Sequence, residues 1–155
     1  MRIAKKEDID KIVKIRIKQQ KDDWSDEYDD KYNLMETTKI YLEKHLNKDF
    51  YAFIEEKDDD IIALCCLQII EYLPQCNDNG LEGYICSVYT KDEFRNKGFQ
   101  TNLLKEVIKF AAKNNLCELT LLSDNEKAIS IYKKLGFEFN NLAMKKVLIS
   151  KWWKL

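Results

Sequence analysis

At 155 residues the chain is the length of one domain. A chain of that size buries about two-thirds of its unfolded surface, enough for a core without metal or disulfide staples. Hydrophobic residues at 45% and charged residues at 34% fit a globular protein, while 4 Gly and 1 Pro exclude collagen-like and Pro/Gly-rich disordered chains. The 26 basic residues against 27 acidic ones give a net charge of −1, without the basic excess that a general grip on nucleic acid needs.

The 5 cysteines stand at 65, 66, 76, 86 and 117 with no Cys-x-x-Cys, and His45 is the only histidine. No metal site is expected from that set, and the cysteines read as small core hydrophobes of a reduced, cytoplasmic chain. Met1 to Lys6 has no apolar signal-peptide stretch. The longest apolar run, Ile61 to Leu67, is far short of the ~20 residues that span a bilayer, so no membrane association is expected. The expectation is one domain over 1–155.

Along the chain, Arg2-Ile3-Ala4 is a short start, after which Ile9, Ile12, Val13 and Ile17 recur at helical spacing. Residues 22–30 are acidic, with Trp24, Tyr28 and Tyr32 four apart. Thr37 or Thr38 is the expected cap of a second helix carrying Ile40, Tyr41, Leu42 and Leu46. Phe50 to Ile54 and Ile61 to Ile70 read as antiparallel strands around a charged turn, Glu55 to Asp60. Leu73 to Gly83 holds the single Pro and two of the four Gly, and is expected to be a loop.

Tyr84 to Thr90 reads as a strand and Leu103, Leu104, Val107, Ile108 and Ala111 as the apolar stripe of a helix. Leu116 to Leu122 is the next strand, with Cys117, Leu119 and Leu121 on one face. Glu126 to Leu135 is a helix stopped by Gly136. Phe137 to Phe139 and Ala143 to Ile149 are the expected final strand pair. The order implies a mixed sheet with a parallel β-α-β step between Tyr84 and Leu122.

Glycines at 80, 83, 98 and 136 alone cannot build a dinucleotide loop, a Walker loop or a nucleophile elbow. His45 stands without catalytic partners and reads as a helix-surface residue. The informative junction is Thr90 to Thr101, between a strand and a strongly amphipathic helix. A turn there, with Gly98 permitting close approach, aims backbone N–H groups at one spot, and the helix dipole, Arg95 and Lys97 add positive potential. That is an anion cradle suited to a pyrophosphate, or else a charged turn that caps a helix.

Two stretches resemble one family. Arg95-Asn96-Lys97-Gly98-Phe99-Gln100 is similar to the Gln/Arg-x-x-Gly-x-Gly/Ala signature of the GNAT N-acetyltransferase superfamily. Asn125 to Phe137 resembles its second signature, Asn-x-x-Ala-x-x-x-Tyr-x-x-x-Gly-Phe. The resemblance implies an α/β (α+β) fold: a mixed, mostly antiparallel central sheet flanked by helices, with a splayed strand pair that takes the acetyl-CoA arm. It implies a cofactor site in which Val88, Tyr89 and Thr90 pair with the pantetheine, Asn96 to Thr101 wrap the pyrophosphate, and Asn125 hydrogen-bonds the pantetheine. Tyr132 matches the tyrosine that protonates the leaving thiolate.

Two positions depart from the pattern. Gln100 stands where the family has Gly or Ala, so its side chain must turn away from the phosphates or contact them. Thr120 stands where some members carry a strand Glu, which leaves Glu82 as the candidate base, with ordered water as the alternative. The function implied is acetyl-CoA-dependent transfer of an acetyl group to a primary amine by direct attack in a ternary complex. The acceptor is a small-molecule or peptide amine, and the chain is a monomer or homodimer. The alternative is a non-catalytic acyl-CoA-binding or interaction domain on the same fold. Cys86 lacks a base partner for an acyl-cysteine route. The acidic stretch at 22–30 is either a rim that draws in a cationic acceptor or an ordinary solvated loop. The tail Lys151 to Leu155 either anchors a partner or folds back on the sheet.

Overall fold

The computed structural model describes residues 1–24 and 29–140. The chain divides into two compact units, Met1–Leu122 and Ser123–Leu155. The first contains β1 (Arg2–Ile3), α1 (Ile9–Trp24), α2 (Leu34–His45), β2 (Phe50–Lys57), β3 (Asp60–Glu71), β4 (Leu81–Thr90), α3 (Phe99–Lys113) and β5 (Glu118–Leu121). The sheet runs β1-β2-β3-β4-β5, antiparallel except for the parallel pairing of β4 with β5. This is the expected mixed sheet with its β-α-β step. No helix of the described residues is long and apolar enough to cross a membrane.

Strand alternation sends one set of side chains to each face. Phe50, Ala52 and Ile54 of β2, with Leu64 and Cys66 of β3, meet Ile9, Ile12, Val13 and Ile15 of α1 and Leu42 of α2. On the other face, Phe110 of α3 lies 4.6 Å from the Tyr51 ring and 5.5 Å from the Phe53 ring. The α3 stripe of Leu103, Leu104 and Val107 is fully buried. Each such side chain contributes about 1.5–3 kcal/mol, which is why the period read in the sequence persists in the fold.

The first strand is held by ions. Arg2 binds buried Asp8 through two bonds of 2.7 and 3.0 Å and Glu56 through two of 2.7 Å. Asp8 also accepts from the Lys5 backbone N–H at 2.7 Å. The Arg2 bond, reinforced by that backbone donor, holds the Asp8 carboxyl below its usual range.

Several boundaries differ from the sequence reading. Helix α2 begins at Leu34, capped by Asn33 (φ 49°), whose side chain accepts from the Glu36 N–H, rather than by Thr37 or Thr38. Asn tolerates the left-handed region and its short amide reaches back to the first turn. The β2–β3 turn narrows to Asp58 and Asp59, both left-handed at φ 51° and 60°, the geometry that suits a tight hairpin. Strand β4 begins at Leu81, so Glu82 and Gly83 are strand residues, not loop. Pairing of Leu81 with Glu71 and of Glu82 with Glu118 extends it. A Cβ on Gly83 would sit 2.5 Å from Leu119 and 2.8 Å from Leu67, so the bare backbone is what fits there. Strand β5 starts at Glu118, leaving Leu116 and Cys117 outside it. Cys65 and Cys66 are core residues as expected, but Cys76 and Cys117 are exposed. The Cys117 thiol instead donates to Asn79 Oδ1 at 2.7 Å.

The second unit holds α4 (Glu126–Lys134), capped by Asn125, whose Oδ1 accepts from the Ala128 N–H at 3.1 Å. Gly136, at φ 90°, ends the helix, with its N–H on Lys133 O and the Phe137 N–H on Tyr132 O. This double bond pattern closes the last turn and brings Phe137 edge-on to the Tyr132 ring at 5.9 Å. Phe137 to Phe139 has no strand assignment, and its expected partner, Ala143 to Ile149, lies outside the described residues, as does the tail at 151–155.

Candidate functional site

The central feature of the first unit is an interruption in β4. Leu64 pairs with Tyr89 and Cys66 with Cys86, so Ser87 and Val88 together face the single residue Cys65. Ser87 takes up the extra length in the left-handed region at φ 48°. Such a bulge bends the strand and sharpens its twist. Pairing of β4 with β5 stops at Ile85–Leu121, while β4 continues to Thr90. The strand pair is splayed, and from Cys86 onward β4 presents a backbone edge with no β5 partner.

Three carbonyls on that segment are approached by side chains. Val88 O lies 3.5 Å from Gln19 Nε2, Thr90 O accepts from Arg95 Nε at 3.2 Å, and Tyr89 O accepts from Gln100 Nε2. Gln100 also donates to Leu64 O at 3.1 Å and to Thr90 Oγ1 at 2.9 Å. Its side chain therefore turns into the sheet and away from the helix N-terminus. A Gln at this place in the motif serves as a bolt between α3, β3 and β4.

The turn that follows is built from two left-handed residues, Asn96 at φ 60° and Gly98 at φ 81°. Gly98 is the N-cap of α3 and supplies no side-chain acceptor, so no side chain there takes up the N–H groups of Phe99, Gln100 and Thr101. A Cβ on Gly98 would meet nothing within 4 Å. Among the described residues, open space beside Gly98 thus adjoins donors at the positive end of a 15-residue helix, a fit for an anionic group. The two cations of the turn are folded back beside it. Arg95 pairs with Asp92 at 2.8 Å, and Lys97 lies 5.3 Å over the Phe94 ring and bonds Glu93 O at 2.9 Å.

Val88 to Thr101 are thus brought together on one unit, whereas Asn125 and Tyr132 belong to the other. Tyr132 is buried on α4. Glu82 sits three residues before the point where β4 and β5 part, about 10 Å along the strand. Burial, with Glu118 and Asp78 nearby, holds its carboxyl above the usual range. Cys86 lies at the opening itself, but burial pushes its thiol up to about 11 against the opposing charge of Arg16, so it is protonated and a poor nucleophile. His45 lies at the end of α2 with Nδ1 2.9 Å from Asp49, a structural contact. No three His, Cys, Asp or Glu side chains gather as metal ligands among the described residues.

The acidic stretch is only partly described. Asp22 is paired with Lys18 at 2.8 Å, Asp30 caps the Leu34 N–H at 2.5 Å, and Tyr32 is exposed. Residues 25–28 lie outside the described residues. Sequence reasoning missed the bulge, for which a Ser in a β-branched and aromatic run gives no signal. It also missed Gln19, whose polar side chain one turn after Arg16 on α1 was the available clue.

A family model described as the acetyltransferase (GNAT) family matches residues 9–137. Among solved structures, a predicted acetyltransferase with acetyl-CoA from Clostridium acetobutylicum is 26% identical with a TM-score of 0.84, covering 95% of this chain and 94% of that one. A GCN5-related N-acetyltransferase from Ralstonia eutropha is 17% identical, TM-score 0.77, over 94% and 96%. An aminoglycoside N-acetyltransferase in complex with CoA is 14% identical, TM-score 0.65, over 98% of both chains. No curated protein matches the chain.

Proposed function

The chain belongs to the GNAT acetyltransferase family, and from that premise we propose that it transfers an acetyl group from acetyl-CoA to a primary amine by direct attack. The observation that carries this reading is the splayed β4–β5 pair leading to an uncapped α3 N-terminus with open space over Gly98. The similar Clostridium acetobutylicum structure, which has acetyl-CoA, supports it.

Acetyl-CoA, when bound, supplies the acetyl group as a thioester. The first-turn N–H groups of α3 hold the pyrophosphate, and the β4 segment from Val88 to Thr90, which β5 does not pair, takes the pantetheine arm. Asn125, whose Oδ1 caps α4, is proposed for the arm on its place in the second motif. The amine nitrogen bonds to the acetyl carbon and loses a proton, the carbon–sulfur bond breaks, and Tyr132 delivers a proton to the thiolate. Glu82, with its raised carboxyl, is the proposed sink for the amine proton, reached through one or more ordered waters over the ~10 Å of strand between them.

Thiol release from acetyl-CoA, followed with a panel of amines, tests the reading. Amine-dependent release is expected, with Glu82→Gln removing the acidic limb of the kcat/KM profile. Tight CoA binding without turnover of any amine would instead make this a non-catalytic acyl-CoA-binding domain.

A further inference from the structure

The chain has three arginines, and two of them are neutralised: Arg2 by Asp8 and Glu56, Arg95 by Asp92. Arg16 is different. It is half-buried on α1, and its one hydrogen bond among the described residues is to Gln19 Oε1 at 3.4 Å, with no carboxylate partner. A partly desolvated guanidinium without a counter-charge is costly to keep unless something anionic comes to it.

Its position says where that anion would sit. Gln19, one helical turn on, reaches toward Val88 O in the bulge at 3.5 Å. Arg16 bears electrostatically on Tyr84 and Cys86, the side chains on the α1 side of β4 just before the strands part. Cys86 and Tyr41 both pack against the core beneath α1 and α2. Arg16 is therefore an unspent charge on the α1 side of β4, next to the bulge that Gln19 approaches. The pyrophosphate cradle is at the start of α3, which packs on the opposite face of the sheet, so the charge of Arg16 is not used by the donor's phosphates.

We propose that Arg16 is the acceptor anchor of this site and that it binds a carboxylate, which makes the substrate an amine that also carries a carboxyl group, an amino acid or a close relative. The proposal rests on the acetyltransferase reading above and adds the acceptor class to it. A guanidinium fork matches a carboxylate with two parallel bonds. The carboxylate fixes one end of the acceptor on the α1 side, and its amine then points to the opening of β4.

The test compares amino acids with their own carboxamides as acceptors, scoring thiol release from acetyl-CoA. The acids are expected to be favoured by about tenfold or more in kcat/KM, as for a site built to pair a polar group that the analogue lacks. Arg16→Gln should abolish the preference through KM for the acid, with KM for acetyl-CoA unchanged, and Arg16→Lys should restore part of it. Equal use of acids and carboxamides by the parent protein would overturn the proposal while leaving acetyl transfer intact. So would preference for a phosphate-bearing amine, or an Arg16→Gln defect equal for both acceptor types. No thiol release with any amine would sink the proposal and the acetyltransferase reading together.

Discussion

The Gln100 amide nitrogen donates to the carbonyl of Leu64 at 3.1 Å, tying the first turn of α3 to the middle of β3 across 36 residues of sequence. The same nitrogen reaches Tyr89 O and Thr90 Oγ1, so one side chain fixes both the start of the helix and the end of the splayed strand. Gln100→Ala should lower stability by about 1–3 kcal/mol, the cost of leaving buried acceptors without their donor. Because the side chain faces away from the cradle, acetyl-CoA affinity should stay within about twofold of the parent. Urea titration and calorimetric binding check the two halves separately. A collapse of CoA binding at unchanged stability would place Gln100 among the ligand contacts.

Gly98 carries the opposite expectation. Gly98→Val forces a β-branched residue to φ 81° and puts a side chain into the space that adjoins the first-turn donors. The backbone strain alone costs roughly 1–2 kcal/mol. Acetyl-CoA should bind at least about tenfold more weakly, since the N–H groups lose close approach to the phosphates. Arg95→Ala should cost less, because its side chain is 55% exposed and already shared with Asp92. Calorimetry on variants shown by circular dichroism to be folded decides between them, and equal affinity in the Gly98 variant and the parent would refute the cradle.

Tyr132→Phe keeps the ring that meets Phe137 at 5.9 Å and the capped end of α4, and removes only the hydroxyl. The expected outcome is a fall in kcat on the order of ten- to a thousand-fold with KM for acetyl-CoA little changed. If only KM moves, the residue binds or packs, and the proton donor must be sought elsewhere.

Asp8 gives the pH prediction. Its carboxyl lies below the usual 3.8 when folded, first because of the Arg2 bond. A depressed folded value means the unfolded chain binds the proton more readily. The stabilisation is therefore fully present above about pH 5 and is lost as pH falls through 4 and below. The urea midpoint should be flat with respect to this group from pH 7 to 5 and drop beneath that. Asp8→Asn should be less stable at pH 7 and show a shallower acid decline, and an acid decline identical in both proteins would remove Asp8 as its cause.

Elements held together by their own neighbours were legible in the residues. The α3 stripe, the hairpin of β2 and β3, the β-α-β step and the Gly136 stop are set by local period and turn chemistry, and the two motifs led to the right family because they are contiguous strings. Start points were less legible. Leu81 to Gly83 carries loop-like composition, yet it is a strand because β3 on one side and β5 on the other supply its partners. Asn33 outcompetes Thr37 as a cap because the left-handed turn that brings its amide to the Glu36 N–H is a property of the folded chain.

The site divides in the same way. Gly98 and the uncapped first turn of α3 follow from local sequence, since backbone donors need no distant partner. The bulge does not, because it is a mismatch in count between two strands: Ser87 and Val88 against Cys65. Nor does the direction of Gln100, chosen by acceptors on β3 and β4, or the charge of Arg16, which has no carboxylate partner among the described residues. Local periodicity and contiguous motifs determined the family and the frame. Long-range pairing decided where the strand opens, which side chains brace that opening and which charge is left facing it, because those depend on residues far apart in sequence meeting in space.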